Sequence, residues 1–372
     1  MSCEMRIPTP DEIPQLIDLL NLVFRPQGGN MGREFPSLLR EENLEQLRVI
    51  VEDGTIVAHV GMTLQDAILG GIPTRICNIG AVSTHPDSRG KGYATQLMED
   101  AVQHARSRGA DIMLISGKRG LYRRMNAVEC GLFPFLALTE QEVESAFLDA
   151  RRVKEEDLPQ VAAVRQCEST RYLLSLEELR ILFRGGYAMC RPVEWWLFSK
   201  DGIPCAFGVI SKETGDGETR LQLIEWKGDA EALRSAWITW SRTHRTNRID
   251  VVVTSPMNLP ASWRSHIEKR ITFSGTALVL HARRFLERAR PMLTERSDLF
   301  SSMKIEAGET ALRFLMKGDS LRLNNGGEIA ELFFGVPGRN VASEKTRPGS
   351  ALAEALRQMF PIPLVWYGIA YI

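Results

Sequence analysis

Residues 79–98 read Ile-Gly-Ala-Val-Ser-Thr-His-Pro-Asp-Ser-Arg-Gly-Lys-Gly-Tyr-Ala-Thr-Gln-Leu-Met, and no other stretch constrains the fold as much. An apolar run closes at Thr84 and reads as the end of a strand. His85, Pro86, Asp87 and Ser88 then make a tight turn, because proline fixes φ while Asp and Ser bond to nearby backbone. From Arg89 the apolar spacing turns helical, with Ala94, Leu97, Met98, Ala101, Val102 and Ala105 on one face. The segment therefore predicts a strand, a loop carrying Gly90 and Gly92, and a helix N-terminus. Unpaired N–H groups and the positive end of the helix dipole meet there, which suits a phosphate. The glycines let backbone approach the anion, and Arg89 and Lys91 add charge. The expectation is a pyrophosphate cradle. Its bland alternative is a basic helix cap that binds nothing.

Spacing narrows the ligand. A P-loop needs four residues between its first glycine and Gly-Lys-Ser/Thr, and this segment lacks them. The dinucleotide fingerprint fails because Thr95 occupies the position of its third glycine. What fits is R-x-x-G-x-A, from Arg89 through Gly92 to Ala94. This resembles the acetyl-CoA motif of the GNAT acetyltransferases, whose consensus is Q/R-x-x-G-x-G/A. Downstream, residues 111–116 (DIMLIS) read as a short strand, and Gly117-Lys118-Arg119-Gly120 as a turn. Residues 121–127 (LYRRMNA) are similar to the GNAT segment F/L-Y-x-x-x-G-F. The resemblance implies that Tyr122 protonates the departing CoA thiolate, a role suited to a phenol with a pKa of about 10. Without it, Tyr122 is an amphipathic packing residue. Asn126 and Ala127 replace the family's Gly-Phe at the bend after this helix.

Composition adds exclusions. Lys plus Arg and Asp plus Glu number 46 each, so no global field draws the chain to nucleic acid or membrane. Six cysteines (Cys3, Cys77, Cys130, Cys167, Cys190, Cys205) form no C-x-x-C pair and have no histidine at ligand spacing. They read as reduced thiols, mostly core fillers, with no zinc site. A polar N-terminus without an apolar h-region and the lack of a long apolar window predict a cytoplasmic protein.

Three blocks separate along the 372 residues. Residues 1–140 carry the motifs. In this block a strand at 5–7, helices at 10–24 and 35–40, and strands at 47–51, 56–64 and 74–83 lead to the cradle. This is the order of a GNAT domain, a mixed sheet that splays where the pantetheine arm lies. Residues 148–288 repeat the layout, but Trp226-Lys227-Gly228-Asp229 stands where the arginine-glycine cradle would be. A second GNAT-like fold without CoA binding is the expectation, against an unrelated α/β domain. Residues 300–372 hold strands at 311–316 and 320–323, an element at 328–334 and a helix at 350–359 with Ser350 as N-cap. The apolar, aromatic tail reads as an edge strand. The fold class is thus α/β: tandem GNAT folds with a small C-terminal α+β domain.

That three-part architecture resembles the enhanced intracellular survival (Eis-like) family, whose last domain is similar to a sterol carrier protein. The resemblance implies that the terminal carboxylate, here on Ile372, serves as base towards the substrate amine, raised in basicity by the burying tail. Members acting on many aminoglycosides have an acidic cleft. No Asp or Glu follows Phe360, so a polycationic substrate is not carried over. Other bases are scarce: Asn78 takes no proton at neutral pH, His85 reads as a solvated turn residue, and Glu34 as an exposed one. The expected activity is direct acetyl transfer from acetyl-CoA to an amine, without a metal. Arg89 together with residues 90–94, Lys91 and Tyr93 included, would hold the pyrophosphate, and the backbone of Val82, Ser83 and Thr84 the pantetheine. Arg25, Arg33 and Gln27 suggest an acceptor bearing a carboxylate or phosphate. The resemblance also implies a homo-oligomer. A non-catalytic acyl-CoA sensor, favoured by Asn126-Ala127, and an assembly protein remain the other classes; the acceptor, from small amine to lysine side chain, stays open.

Overall fold

The computed structural model describes residues 2–139, 147–215, 218–254, 259 and 261–372. They cluster into two compact units. Unit 1 comprises residues 1–132, 272–364 and Ile372, and unit 2 comprises residues 133–271 and Val365–Tyr371. These divisions differ from the three contiguous blocks expected from sequence. The strand Phe133–Thr139 pairs with Arg248–Val252 in the sheet of unit 2, whereas Thr276–Val279 pairs with a strand of unit 1. The third block clusters with the first rather than standing alone.

Unit 1 begins with β1 (Cys3–Arg6), α1 (Ile13–Phe24) and α2 (Met31–Glu34). It continues through β2 (Arg48–Glu52), β3 (Thr55–Leu69), β4 (Ile72–Thr84), α3 (Tyr93–Ser107), β5 (Ile112–Ile115) and α4 (Gly120–Arg124). Strands β1 to β5 lie side by side in sequence order, antiparallel except for the β4–β5 pair, and Thr276–Val279 closes the far edge on β5. The apolar period of α3 turns Leu97, Met98, Ala101 and Ala105 onto Val60, Met62, Cys77 and Ile79 of the sheet. The small residues at 101 and 105 allow close approach; burying the larger ones contributes roughly 1.5–3 kcal/mol each.

Two local expectations fail here. Residues 35–40 form turns, not a helix. The helix lies earlier, where Asn30 Oδ1 accepts the Arg33 N–H at 3.0 Å, and Pro36 pushes Phe35 out of the α region (φ −126°, ψ 60°). The helix expected from Arg89 begins at Tyr93, because Gly90 and Gly92 are left-handed at φ +82° and +83°.

The rest of unit 1 adds the helix Ala282–Arg296, a three-stranded antiparallel meander (Lys304–Ala307, Leu312–Met316, Asp319–Leu323) and the helices Gly326–Phe334, Val341–Lys345 and Ala351–Met359. Ser350 Oγ caps the last of these, accepting the Ala353 N–H at 3.1 Å. Asp111, fully buried ahead of β5, ties this part down. Its carboxylate accepts from Arg284 at 2.6 Å, Arg288 at 2.7 Å and the Arg75 N–H at 2.9 Å. At Gly327 an added Cβ would overlap the Asn126 carbonyl, so helix backbone abuts the bend after α4.

Unit 2 repeats the plan with a sheet ordered Lys269–Ile271, Phe133–Thr139, Arg248–Val252, Glu218–Gly228, Ile203–Gly215, Arg191–Lys200, Asp149–Arg152. Helices Leu158–Gln166 and Leu176–Gly185 precede the central hairpin and Ala232–His244 follows it. Trp240 packs edge-on against both Phe198 and Trp226 in its core. The chain therefore carries the same strand-and-helix plan twice. The tail is no edge strand. It is buried for most of its length, without ladder pairing, and has one 3-10 turn at Gly368–Ala370. Pro361 and Pro363 have no N–H to give a ladder. All six cysteines are free, but only Cys77 and Cys130 are buried, so most are not core fillers.

Candidate active site

Strand β4 pairs with β5 only as far as Ile79 opposite Ile115, yet follows β3 to Thr84. Beyond Ile79 the sheet splays. Ser116 closes the last rung, its N–H and Oγ reaching the Ile79 carbonyl at 2.9 and 3.0 Å. At the same point β4 bulges: Gly80 faces Gly61 and Ser83 faces His59, so Ala81 and Val82 oppose Val60 alone. Ala81 takes φ +50°, which costs roughly 1 kcal/mol for an L-residue. The fully buried His59 holds the bulge through a 2.9 Å bond from Nδ1 to the Ala81 carbonyl. A carbonyl only accepts, so Nδ1 carries the proton. Burial pushes this imidazole down to about 4, leaving it neutral at pH 7.

A cavity of about 620 Å³ opens on this splay. Eight of the nine residues expected to hold a cofactor line it, namely Val82, Ser83, Thr84, Arg89, Gly90, Gly92, Tyr93 and Ala94. Lys91 does not. Its ammonium lies on the Glu52 carboxylate at 2.8 and 3.0 Å, and Glu52 also accepts from Ser88 Oγ at 3.0 Å and from the Tyr93 hydroxyl. Glu52 thus grips the loop at three points and neutralises one of its two cations. The Lys91 ammonium above all, and then the Tyr93 hydroxyl, hold its carboxyl down to about 2. Two further guanidinium groups, Arg119 and Arg124, line the cavity. Arg119 donates to the Val82 carbonyl at 3.3 Å and lies over the Phe24 ring at 5.9 Å. Neither was singled out by the motif. Both stand in or beside the tyrosine segment, but only the fold turns them to the same space.

These residues fit the pyrophosphate of an acyl-CoA. The N–H groups of Gly90, Lys91 and Gly92 have no acceptor among the described residues, and nothing lies within 4 Å of a Cβ built at Gly90. Ser83 Oγ is buried without a partner among the described residues. Three guanidinium groups supply the opposite charge.

Tyr122 is buried against Gly117, where a Cβ would stand 2.9 Å from its ring. Burial pushes its phenol upward, only partly offset by Arg119. The bend after α4 is a Schellman motif: the Ala127 N–H reaches the Tyr122 carbonyl at 3.0 Å and the Asn126 N–H reaches Arg123 at 3.0 Å. Asn126 takes the left-handed conformation (φ +62°) at the position where the family segment has glycine, and asparagine tolerates it best after glycine. The departure at Asn126 therefore leaves this turn intact.

The main-chain carbonyl of Ile372 lies over Gly80. A Cβ there would overlap its carbon and stand 2.5 Å from its oxygen. Glycine leaves that space open. The other candidate groups are occupied. Glu34 is held by Arg25, whose Nε lies 2.9 Å from Oε2, so Arg25 is not free to recognise an anionic acceptor. Asn78 donates to Gln65 at 2.9 Å, and His85 Nδ1 accepts the Asp87 N–H at 3.3 Å within its turn. Among the described residues no cluster of His, Cys, Asp or Glu suits a metal, and no helix is long and apolar enough to cross a membrane.

Residues 4–128 match the family model described as an acetyltransferase (GNAT) domain. They are a GNAT domain. The fold of the whole chain is shared with solved structures at low identity. A GCN5-related N-acetyltransferase from Anabaena variabilis has a TM-score of 0.67 at 15% identity, with 98% of this chain and 99% of that one covered. A probable N-acyltransferase from Enterococcus faecalis gives 0.68 at 12%, covering 98% of both. Eis1 from Mycobacterium abscessus gives 0.66 at 10%, covering 100% of both. At such identities the likeness is one of fold. No curated protein matches the sequence. A GNAT domain binds acyl-CoA and supports acyl transfer to an amine.

Proposed function

We propose that the chain is an acetyl-CoA-dependent N-acetyltransferase that moves the acetyl group directly to an amine of a small molecule or peptide. The observation that carries this reading is the open end of β4, which joins the glycine cradle to Gly80 and the Ile372 carbonyl lying over it. Bound acetyl-CoA would supply a thioester whose acyl carbon accepts the amine. Around it the N–H groups from Gly90 to Ala94, with Arg89, Arg119 and Arg124, hold the pyrophosphate. Val82, Ser83 and Thr84 orient the pantetheine arm along the strand edge left unpaired beyond Ile79.

Two protons then move on groups of this chain. The Ile372 carboxylate accepts one from the attacking amine as the C–N bond forms. Tyr122 donates one to sulfur as the C–S bond breaks. A phenol pushed upward by burial remains a donor throughout the neutral range. Ile372 thus acts on the amine and Tyr122 on the leaving group.

The test is acetyl-CoA turnover over a panel of primary amines, with CoA affinity measured by calorimetry. Tyr122→Phe should lower kcat about 100-fold and leave the CoA Kd unchanged, the scale of a lost general acid. Deleting Ile372, or adding residues after it, should lower kcat similarly. Full turnover in those tail variants would remove the terminal carboxyl from the mechanism. Tight CoA binding without turnover on any amine would point to a sensor instead.

A further inference from the structure

We infer that unit 2 is a binding socket for the chain's own C-terminal tail, closed by the buried Arg165–Glu225 ion pair. The strand Glu218–Gly228 leaves its parallel neighbour after Leu223 opposite Val251. It bulges there, with Ile224 as the extra residue between the pairs Ile210–Leu223 and Val209–Glu225. The next residue, Glu225, is 5% exposed and meets Arg165, itself 4% exposed, from the helix Leu158–Gln166.

A buried ion pair adds little stability by itself, since desolvation consumes most of its attraction. A buried carboxylate does, however, offer fixed acceptor sites beyond those its arginine fills. One is used by the tail: Glu225 Oε2 accepts the Ile369 N–H at 3.1 Å. Three further contacts complete the fit. The Ile369 side chain enters the apolar cluster formed by Leu197, Phe207, Val209 and Ile224. Gly368 lies so close to Glu225 Oε2 that a Cβ would overlap it, and its φ of +52° also favours glycine. Trp366 packs edge-on against Phe133 at 5.0 Å.

The tail thus brings an aromatic anchor, a glycine, a backbone donor and an aliphatic plug to the strand end that, in a GNAT fold, is left open for ligand. The socket's own ligand is an apolar peptide already tethered to it. Ile372 follows Ile369 by three residues, so a held Ile369 restricts where the terminal carboxyl can go. That last consequence rests on the proposed role of Ile372; the socket itself does not.

Hydrogen–deuterium exchange of the full-length protein tests the socket, following peptides that cover residues 365–372. Two variants are compared with wild type. Gly368→Ala disturbs the seat while keeping both charged residues, and Glu225→Gln removes the charge. Both should speed exchange in the tail at least tenfold, and Gly368→Ala should leave the strands Arg191–Lys200 and Arg248–Val252 as protected as before. A tail that stays equally protected in folded Gly368→Ala protein overturns the socket, even if Glu225→Gln misfolds. Parallel turnover assays separate the two ideas. A loosened tail with unchanged kcat keeps the socket and removes the terminal base, whereas a loosened tail with lowered kcat and unchanged CoA affinity supports both.

Discussion

Units 1 and 2 have the same backbone device and opposite chemistry. In each, the second strand of a long hairpin leaves its parallel neighbour, at Ile79 in one and Leu223 in the other, and bulges at that point. In unit 1 the chain continues into two left-handed glycines whose N–H groups have no acceptor among the described residues, and three guanidinium groups line the cavity. In unit 2 it continues into Trp226-Lys227-Gly228-Asp229. Lys227 is buried there, with its ammonium on the Thr170 carbonyl at 3.4 Å, and a Cβ at Gly228 would overlap the Cys205 carbonyl. The Asp229 carboxylate accepts the Glu231 N–H at 2.9 Å, so a negative charge already stands where an anion would dock. Unit 2 has the larger of the two cavities, about 760 Å³, but among the described residues no lysine or arginine lines it. The fold provides an open strand end; the loop after it decides what is bound.

The comparison can be broken in stages. Asp111→Asn removes the charge facing Arg284 and Arg288 in unit 1 and should cost about 3–5 kcal/mol there. Denaturant-dependent hydrogen exchange should show the loss in peptides of β5 and Ala282–Arg296, with unit 2 peptides unchanged; an equal loss in both would mean that the units do not unfold separately. Gly92→Val forces a β-branched residue to φ +83° and should weaken CoA about 100-fold by calorimetry. Asp229→Lys should leave the stoichiometry at one CoA per chain, and a second equivalent would show that charge alone had silenced unit 2.

The smallest effect is one of pH. Burial first, then Arg165 and Arg171, push Lys227 down to about 8 from an ordinary 10.5, against the opposing pull of Glu168. Below pH 8 the lysine is protonated both folded and unfolded, and the folded state bears the full burial penalty. As pH rises from 8 to 10.5 the folded state releases the proton first, the unfolded state then binds more protons, and stability rises. Lys227→Met should abolish that rise, measured as the urea midpoint at pH 7.5 and 9.5. An identical pH trend in both proteins would place the titration elsewhere.

Legibility in the sequence followed range. The strand–loop–helix turn at 84–93 could be read because turn, glycine and helix signals all lie within one short segment. The second unit was visible as a repeat of strand and helix periods. The failures at residues 35–40 and in the tail were local as well: Pro36, Pro361 and Pro363 deny helix or ladder geometry to apolar runs that otherwise suit it. The unit boundaries failed for another reason. Phe133–Thr139 and Thr276–Val279 are both short apolar strands able to pair antiparallel, and nothing in their alternation says which sheet edge each will complete.

By itself, then, the sequence determined the two strand–loop–helix scaffolds, the phosphate-suited loop at 89–94 in the first and its lack in the second. These depend on backbone torsions and neighbours a few residues apart. Only the tertiary structure decided that Glu52, 39 residues before Lys91, neutralises it; that Arg119 and Arg124 face the same cavity as Arg89; and that Ile372 comes to lie over Gly80. Those contacts join residues distant along the chain. They follow from how buried surface and buried charge are satisfied together, which no local pattern encodes.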